Sequence, residues 1–246
     1  MIVFTISFIL LILGASLLPM THHALSGTIS GLPFGEFLLP EEVEELTLNT
    51  STVNFEKREV IFRQNTPVSH VMFVRSGFVK VYKEGYNKRA VILKIATAGE
   101  FLGMMSVYGG KMHEFSASSV QHAEIGFIDL GVADRIIKQN GNFAAKIIEA
   151  LSRDGLFIFE RIMNQTYKQL PGRMAAVILY FSDIIFKQQV FDFPLTRREL
   201  AELAGTTKES FIRTLAEFKH DKIIDLEGAR VSINSMKIIR TLNEKG

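Results

Sequence analysis

The chain has 246 residues, 47% of them apolar, a formal net charge of +2 and no cysteine. That length suits one or two domains with real cores, and the missing thiols exclude disulfides, thiolate metal sites and a cysteine-ligated iron–sulfur cluster. A charge this small is weak for a nucleic-acid binder, yet Arg197, Arg198, Lys208, Arg213, Lys219 and Lys222 collect in the last quarter, where distribution matters more than the total.

Residues 1–19 stand apart, because Ile2 to Pro19 carries no charged side chain and ends just before Met20. Three readings compete. A membrane anchor approaches the length of a bilayer span, and Lys and Arg occur only after it, which leaves the body in the cytoplasm. A secretory signal fits less well, since no basic segment precedes the apolar run. The third is an over-extended start, with translation beginning at Met20. A membrane is a partner only if these residues are real and retained.

From Val53 to Asp129 the pattern is short alternating segments: Val71 and Phe73, then Val79 and Val81, then Val91, Leu93 and Ile95. Arg75-Ser76-Gly77 and Glu84-Gly85-Tyr86-Asn87 interrupt them. Period-two alternation with Gly and Asn punctuation predicts antiparallel strands, and a jelly-roll or β-roll closes that many short ones. Residues 20–130 are read as this domain.

Residues 131–170 return to helical period. Ile148, Leu151, Gly155, Ile158 and Ile162 follow the three–four spacing of a coiled-coil seam, although a buried core helix gives the same spacing. Gly155 would let two helices approach closely at some cost in propensity. Pro171-Gly172 is taken to end this helix, and a last domain, residues 171–246, starts with a helix from Arg173 to Phe186.

Within that domain, Leu195 to Ile233 reads as two short helices meeting at Gly205, followed by a hairpin, the outline of a winged helix-turn-helix. Thr196 with Glu199 and Thr206 with Glu209 each form a T-x-x-E helix start. The second helix is expected from Thr207 to Lys219, with Phe211, Ile212, Leu215 and Phe218 on its packing arc. Glu209, Ser210, Arg213 and Glu217 fall on the other arc. In a major groove an Arg fork binds guanine O6 and N7, and a Glu accepts from the cytosine amino group. A Glu and an Arg four residues apart are equally an ordinary surface ion pair.

The order of parts, with the residues TTKESFIRTL, resembles the Crp/Fnr family of bacterial transcription regulators from roughly Val53 to Ile233. The resemblance implies an α+β fold: an N-terminal antiparallel β-roll (jelly-roll, cupin-like), a long dimerisation helix and a C-terminal winged helix-turn-helix. It implies double-stranded DNA as partner of a cytoplasmic homodimer, with RNA polymerase and an unidentified small-molecule effector as further partners. Its E-[ST]-x-x-R core is matched by Glu209, Ser210 and Arg213, and Lys208 stands where several members carry Arg. Thr196, Arg197 and Thr207 complete the expected DNA contacts, and the dimerisation role falls on the seam from Ile148 to Ile162. Met20 as a start would leave a leader of the length usual in the family, which favours the over-extended reading.

In the same resemblance Gly99-Glu100-Phe101-Leu102-Gly103 begins a phosphate-binding cassette. Members that bind cyclic AMP continue with an acidic residue and later an Arg beside a Ser or Thr; here those places hold Met104 and, before Ser116, Glu114-Phe115. The pocket therefore lacks the charges a cyclic phosphate and ribose need, and cyclic AMP is not the expected ligand. Met104, Met105, Val107, Tyr108 and Phe115 either line an apolar effector cavity or simply fill the roll. His22, His23, His70, His113, His122 and His220 lack ligand spacing, so no metal, haem or other cofactor is expected, and no catalytic constellation appears. Two rival readings are a ligand-binding or membrane-tethered module whose helix-turn-helix contacts protein, and a constitutive DNA binder with a vestigial sensor.

Overall fold

Short strands with two faces to cover need a second sheet or helices on each, and this chain uses both. The computed structural model describes Leu32, residues 34–85 and residues 90–246. The apolar run before Met20 and the Tyr86-Asn87 part of the expected turn lie outside the described residues. After a short helix α1 (Pro40–Leu48), eight strands follow, with helix α2 (Met104–Gly109) between the sixth and the seventh. β1 (Thr50–Phe55), β8 (Ala123–Asp129), β3 (His70–Ser76) and β6 (Phe101–Leu102) form one antiparallel sheet in that order. β2 (Val60–Phe62), β7 (Ser116–Ser119), β4 (Val79–Glu84) and β5 (Ala90–Ala96) form the other.

Side chains of both sheets meet in one core that includes Phe55, Met72, Val74, Val81, Ala117 and Ile125. β3 is covered on both faces. Val71 and Phe73 point the other way, into a second core with Leu46, Ile136, Phe143 and Ile147 from flanking helices. Only glycine fits opposite Phe73: a Cβ on Gly126 would lie 2.3 Å from its ring. The alternation expected in β5 is corrected here. Val91 is exposed and Leu93 only half-buried, while Ile92 and Ile95 are buried. The β4–β5 pairing skips a residue, Val81 facing Lys94 and Tyr82 facing Ile92, and such a bulge turns the following side chains over.

The helical stretch expected as one element is two, α3 (Leu130–Gln139) and α4 (Gly141–Tyr167). Asn140 breaks them: its backbone is extended and its side chain accepts from the amides of Asn142 and Phe143, starting α4 afresh. Pro171 does not terminate a helix. Extended backbone at Lys168 and Gln169 separates α4 from α5 (Leu170–Leu179), and Pro171 sits in the first turn of α5, where its missing N–H costs nothing. A π-helical turn (Tyr180–Ile185) follows, closed by the Phe186 amide on Phe181 O.

The C-terminal part adds β9 (Val190–Asp192), α6 (Arg197–Ala204), α7 (Lys208–His220), the hairpin β10 (Ile224–Glu227) and β11 (Arg230–Ile233), and α8 (Met236–Lys245). Its core is aromatic, with Phe181 within 6.2 Å, ring to ring, of Tyr180, Phe186, Phe191 and Phe193. This core is continuous with the roll through Tyr82, Ile92 and Ile95. Tyr180 Oη accepts from Ile95 N (2.8 Å) and donates to Ile95 O (3.1 Å), satisfying an edge strand. A half-buried ion pair, Lys80 to Glu199 at 2.6 Å, reinforces the contact.

Candidate nucleic-acid interface, dimer face and sensor pocket

Thr196 caps α6 as its spacing predicts. Its side chain accepts from Glu199 N, Glu199 reaches back to Thr196 N at 2.9 Å, and Gly205 ends the helix at φ 65. The second cap is corrected by one position. Thr207, rather than Thr206, accepts from Ser210 N at 3.2 Å, which leaves Glu209 outside any capping box. α7 therefore begins at Lys208.

Phe211, Thr214, Leu215 and Phe218 are the buried side of α7. Ile212, expected among them, is 43% exposed. It lies about 100° around the helix from Phe211, whereas Thr214 lies only about 60° from Phe211 on the other side, next to Phe218, and takes the inner place. Lys208, Glu209 and Arg213 are exposed, and Ser210 is half-buried with its hydroxyl 3.1 Å from that of Thr207. Arg213 approaches Glu217 at 4.0 Å rather than Glu209. The side chains of Lys208 and Glu209 make no hydrogen bond or ion pair among the described residues. Arg197 is committed locally: it donates to Gly228 O in the wing turn and stacks over Phe193 at 5.6 Å, and burial lowers its pKa.

On α4 only Phe143 and Ile147 are buried. Ile148 and Ile162 are exposed as an unpaired seam requires, but Leu151 is half-buried against the core beneath the roll, and Gly155 and Ile158 are half-buried too. Leu156, Phe159, Met163 and Tyr167, which the spacing passed over, are 54–74% exposed. The exposed apolar side chains Leu156, Phe159, Ile162, Met163 and Tyr167 thus form a stripe, still at three–four spacing and rotated from the expected one.

The cassette is packed. Phe101, Leu102 and Met104 are buried, Met105 and Phe115 half-buried, and Gly99 (φ 89) and Gly103 (φ 68) hold left-handed turns. Glu100 accepts from Thr97 N at 2.7 Å and pairs with Lys94 at 3.6 Å. Ser116 accepts from Gln64 N at 3.0 Å. Tyr108 points outward, 50% exposed, and bonds Asp134 at 3.3 Å. Sequence reading missed His113, which is 3% exposed, stacks on Phe62 at 4.0 Å beside Gly103, and has no partner for Nδ1 among the described residues. Desolvation lowers its pKa from 6.5. The unfolded chain therefore binds this proton first, so stability is full above 6.5 and falls as pH drops towards the folded value. Urea midpoints between pH 7.5 and about 5 should decline in the wild type more than in His113→Phe; equal slopes would remove His113 from that role.

The pairing of Lys80 with Glu199 and the contact of Tyr180 with the roll were also missed. No local signal marks them, because Lys80 and Glu199 are 119 positions apart. Among the described residues no cluster of three or more His, Asp or Glu side chains is placed to hold a metal, and no helix is long and apolar enough to cross a membrane.

Residues 52–140 match the family model of the cyclic nucleotide-binding domain, and residues 172–242 that of the Crp-like helix-turn-helix domain. The chain is 23% identical to the CRP-like cAMP-activated global transcriptional regulator of Mycobacterium tuberculosis, across 79% of this chain and 89% of that one. It is also 23% identical to the transcriptional activatory protein AadR of Rhodopseudomonas palustris, across 86% and 88%. Among solved structures, FixK2 from Bradyrhizobium japonicum superposes with a TM-score of 0.73 at 17% identity, covering 79% of this chain and 97% of that one. A crp/fnr-family regulator from Eubacterium rectale gives 0.71 at 18%, covering 87% and 99%.

Proposed function

The chain belongs to the Crp/Fnr family of transcriptional regulators, and from that premise we propose that it acts as a homodimer whose two α7 helices read paired DNA half-sites. The observation that carries the reading is the outer face of α7, where Lys208, Glu209 and Arg213 stand exposed together and the first two have no intramolecular partner among the described residues. Glu209 and Arg213 are the base readers. Lys208, at the edge of that arc, contacts phosphate or a base without the planar fork of an arginine. Ile212 adds an apolar surface of the kind that meets a thymine methyl. Thr196, Arg197, Thr207 and Ser210 hold the frame around these contacts.

The exposed stripe of α4 supports the dimer, since contiguous apolar side chains on a long helix are normally covered by a partner. A two-fold pair would set the recognition helices about one DNA turn apart. Recovering bound genomic fragments tests the reading: a palindromic motif is expected, and its absence would favour a protein-contacting helix-turn-helix.

Effector sensing is assigned to the β-roll, with a ligand other than cyclic AMP and RNA polymerase as the downstream partner. Met104 and Phe115 stand where a cyclic nucleotide needs charge, so millimolar cyclic AMP should leave DNA affinity in fluorescence anisotropy unchanged. Tighter binding on its addition would overturn that assignment. A second reading, a constitutive binder with a filled roll, is favoured by the burial of Phe101, Leu102 and Met104. It predicts the same DNA affinity with and without host extract.

A further inference from the structure

Two arginines outside the DNA-facing surface are placed together without a counter-charge. Arg161 of α4 donates from Nη2 to Leu203 O at 2.5 Å, and Arg173 of α5 donates from Nε to Ala204 O at 3.0 Å. Arg173 Nη1 also reaches Lys168 O at 2.8 Å. Neighbouring carbonyls in the last turn of α6 thus draw two guanidinium groups to one place. A helix C-terminus carries only about half a negative charge, so it does not neutralise both.

No carboxylate lies within 4.0 Å of either group among the described residues. Asp183, the acid facing them across the cavity from the π-helical turn, is taken by Arg240 at 2.9 Å and Ser182 at 2.7 Å. Glu160 also lines the cavity and reaches neither arginine. Desolvation lowers the pKa of Arg161, the direction expected for a partly buried cation with no counter-charge beside it. Each guanidinium has five N–H donors, of which Arg161 uses one and Arg173 two. Both line a cavity of about 310 Å³ whose wall includes Phe157, Val177 and Asn164. Both side chains are half-buried, and holding two like charges at one helix end away from bulk water is costly unless an anion joins them; a planar fork is matched by a carboxylate or a phosphate.

We propose that this cavity binds a small organic anion, its carboxylate or phosphate held by Arg161 and Arg173 and its apolar body lying against Phe157 and Val177. The site is separate from the cassette of the β-roll, and it lies where α4 meets the turn between α6 and α7.

Isothermal titration of the full chain with phenyl phosphate, benzoate and uncharged phenol, at constant ionic strength, tests it. At least one anion should saturate at one site per chain while phenol does not, and the tighter of the two identifies the head group. Arg161→Gln should weaken that binding about tenfold or more, the loss of one charge-assisted contact. Arg198→Gln, on an exposed residue paired with Glu202, should not change it. Ala176→Leu, which narrows the cavity and keeps both arginines, should weaken it comparably and decides the matter if Arg161→Gln does not fold. Absence of saturation by either anion, equal binding of phenol, or full affinity in the arginine and cavity variants would overturn the proposal.

Discussion

Replacing Arg213 with alanine is expected to weaken specific DNA binding by about 1–3 kcal/mol, roughly five- to 150-fold in Kd, measured by fluorescence anisotropy on a site selected from random sequence. The expectation follows from what the side chain does without DNA. Its side chain is 72% exposed, and its one ionic contact among the described residues is Glu217 at 4.0 Å. Such a contact contributes little to stability, so thermal unfolding should barely move while affinity falls. Arg213→Lys separates two roles. A phosphate contact survives a change of cation, whereas a forked contact to guanine does not. Unchanged affinity and sequence preference in Arg213→Ala would remove it from the base readers. Lys208→Ala should instead weaken all sequences alike and flatten the salt dependence by about one ion, if its contact is to phosphate.

Phe159→Glu should turn the proposed dimer into a folded monomer. The ring is 67% exposed on the single chain, so the substitution touches no core of its own subunit, and the melting curve of the monomer should be nearly unaffected. In a two-fold pair the same position places two carboxylates in an apolar seam. Burying a charge without a partner costs several kcal/mol, so the dimer dissociation constant should rise by at least about a hundredfold, roughly 3 kcal/mol. Sedimentation velocity reads this directly. A variant that stays dimeric at micromolar concentration would take Phe159 out of the interface. Leu151→Glu is the contrasting case: Leu151 packs against the core beneath the roll, so its substitution should destabilise the subunit itself.

Much of the C-terminal part was legible because its signals are short in range. The Thr196–Glu199 cap joins residues one turn apart, and the left-handed turn at Gly205 needs only the residue itself. The adjacent pair Thr206-Thr207 defeats the same rule, since either can cap and the structure uses Thr207. In the roll, alternation gave the strands but not the bulge that puts Ile92 and Ile95 inside and leaves Val91 out. On α4, three–four spacing found an apolar stripe without deciding which of two neighbouring stripes faces the chain's own core. Leu151 went inward, and Phe159 was left outside.

By itself, then, the sequence determined the kind of elements, the helix-turn-helix with Glu209, Ser210 and Arg213 in its second helix, and the uncharged Met104 and Phe115 of the cassette. These depend on residue type and on spacings of a few positions, which the backbone fixes wherever the segment lies. Only the tertiary structure decided that Lys80 meets Glu199, that Tyr180 closes the edge of β5, and that Arg161 and Arg173 converge on one helix end. Such meetings join positions far apart in the chain, where pairing is set by how the whole core packs and leaves no periodic trace in either segment.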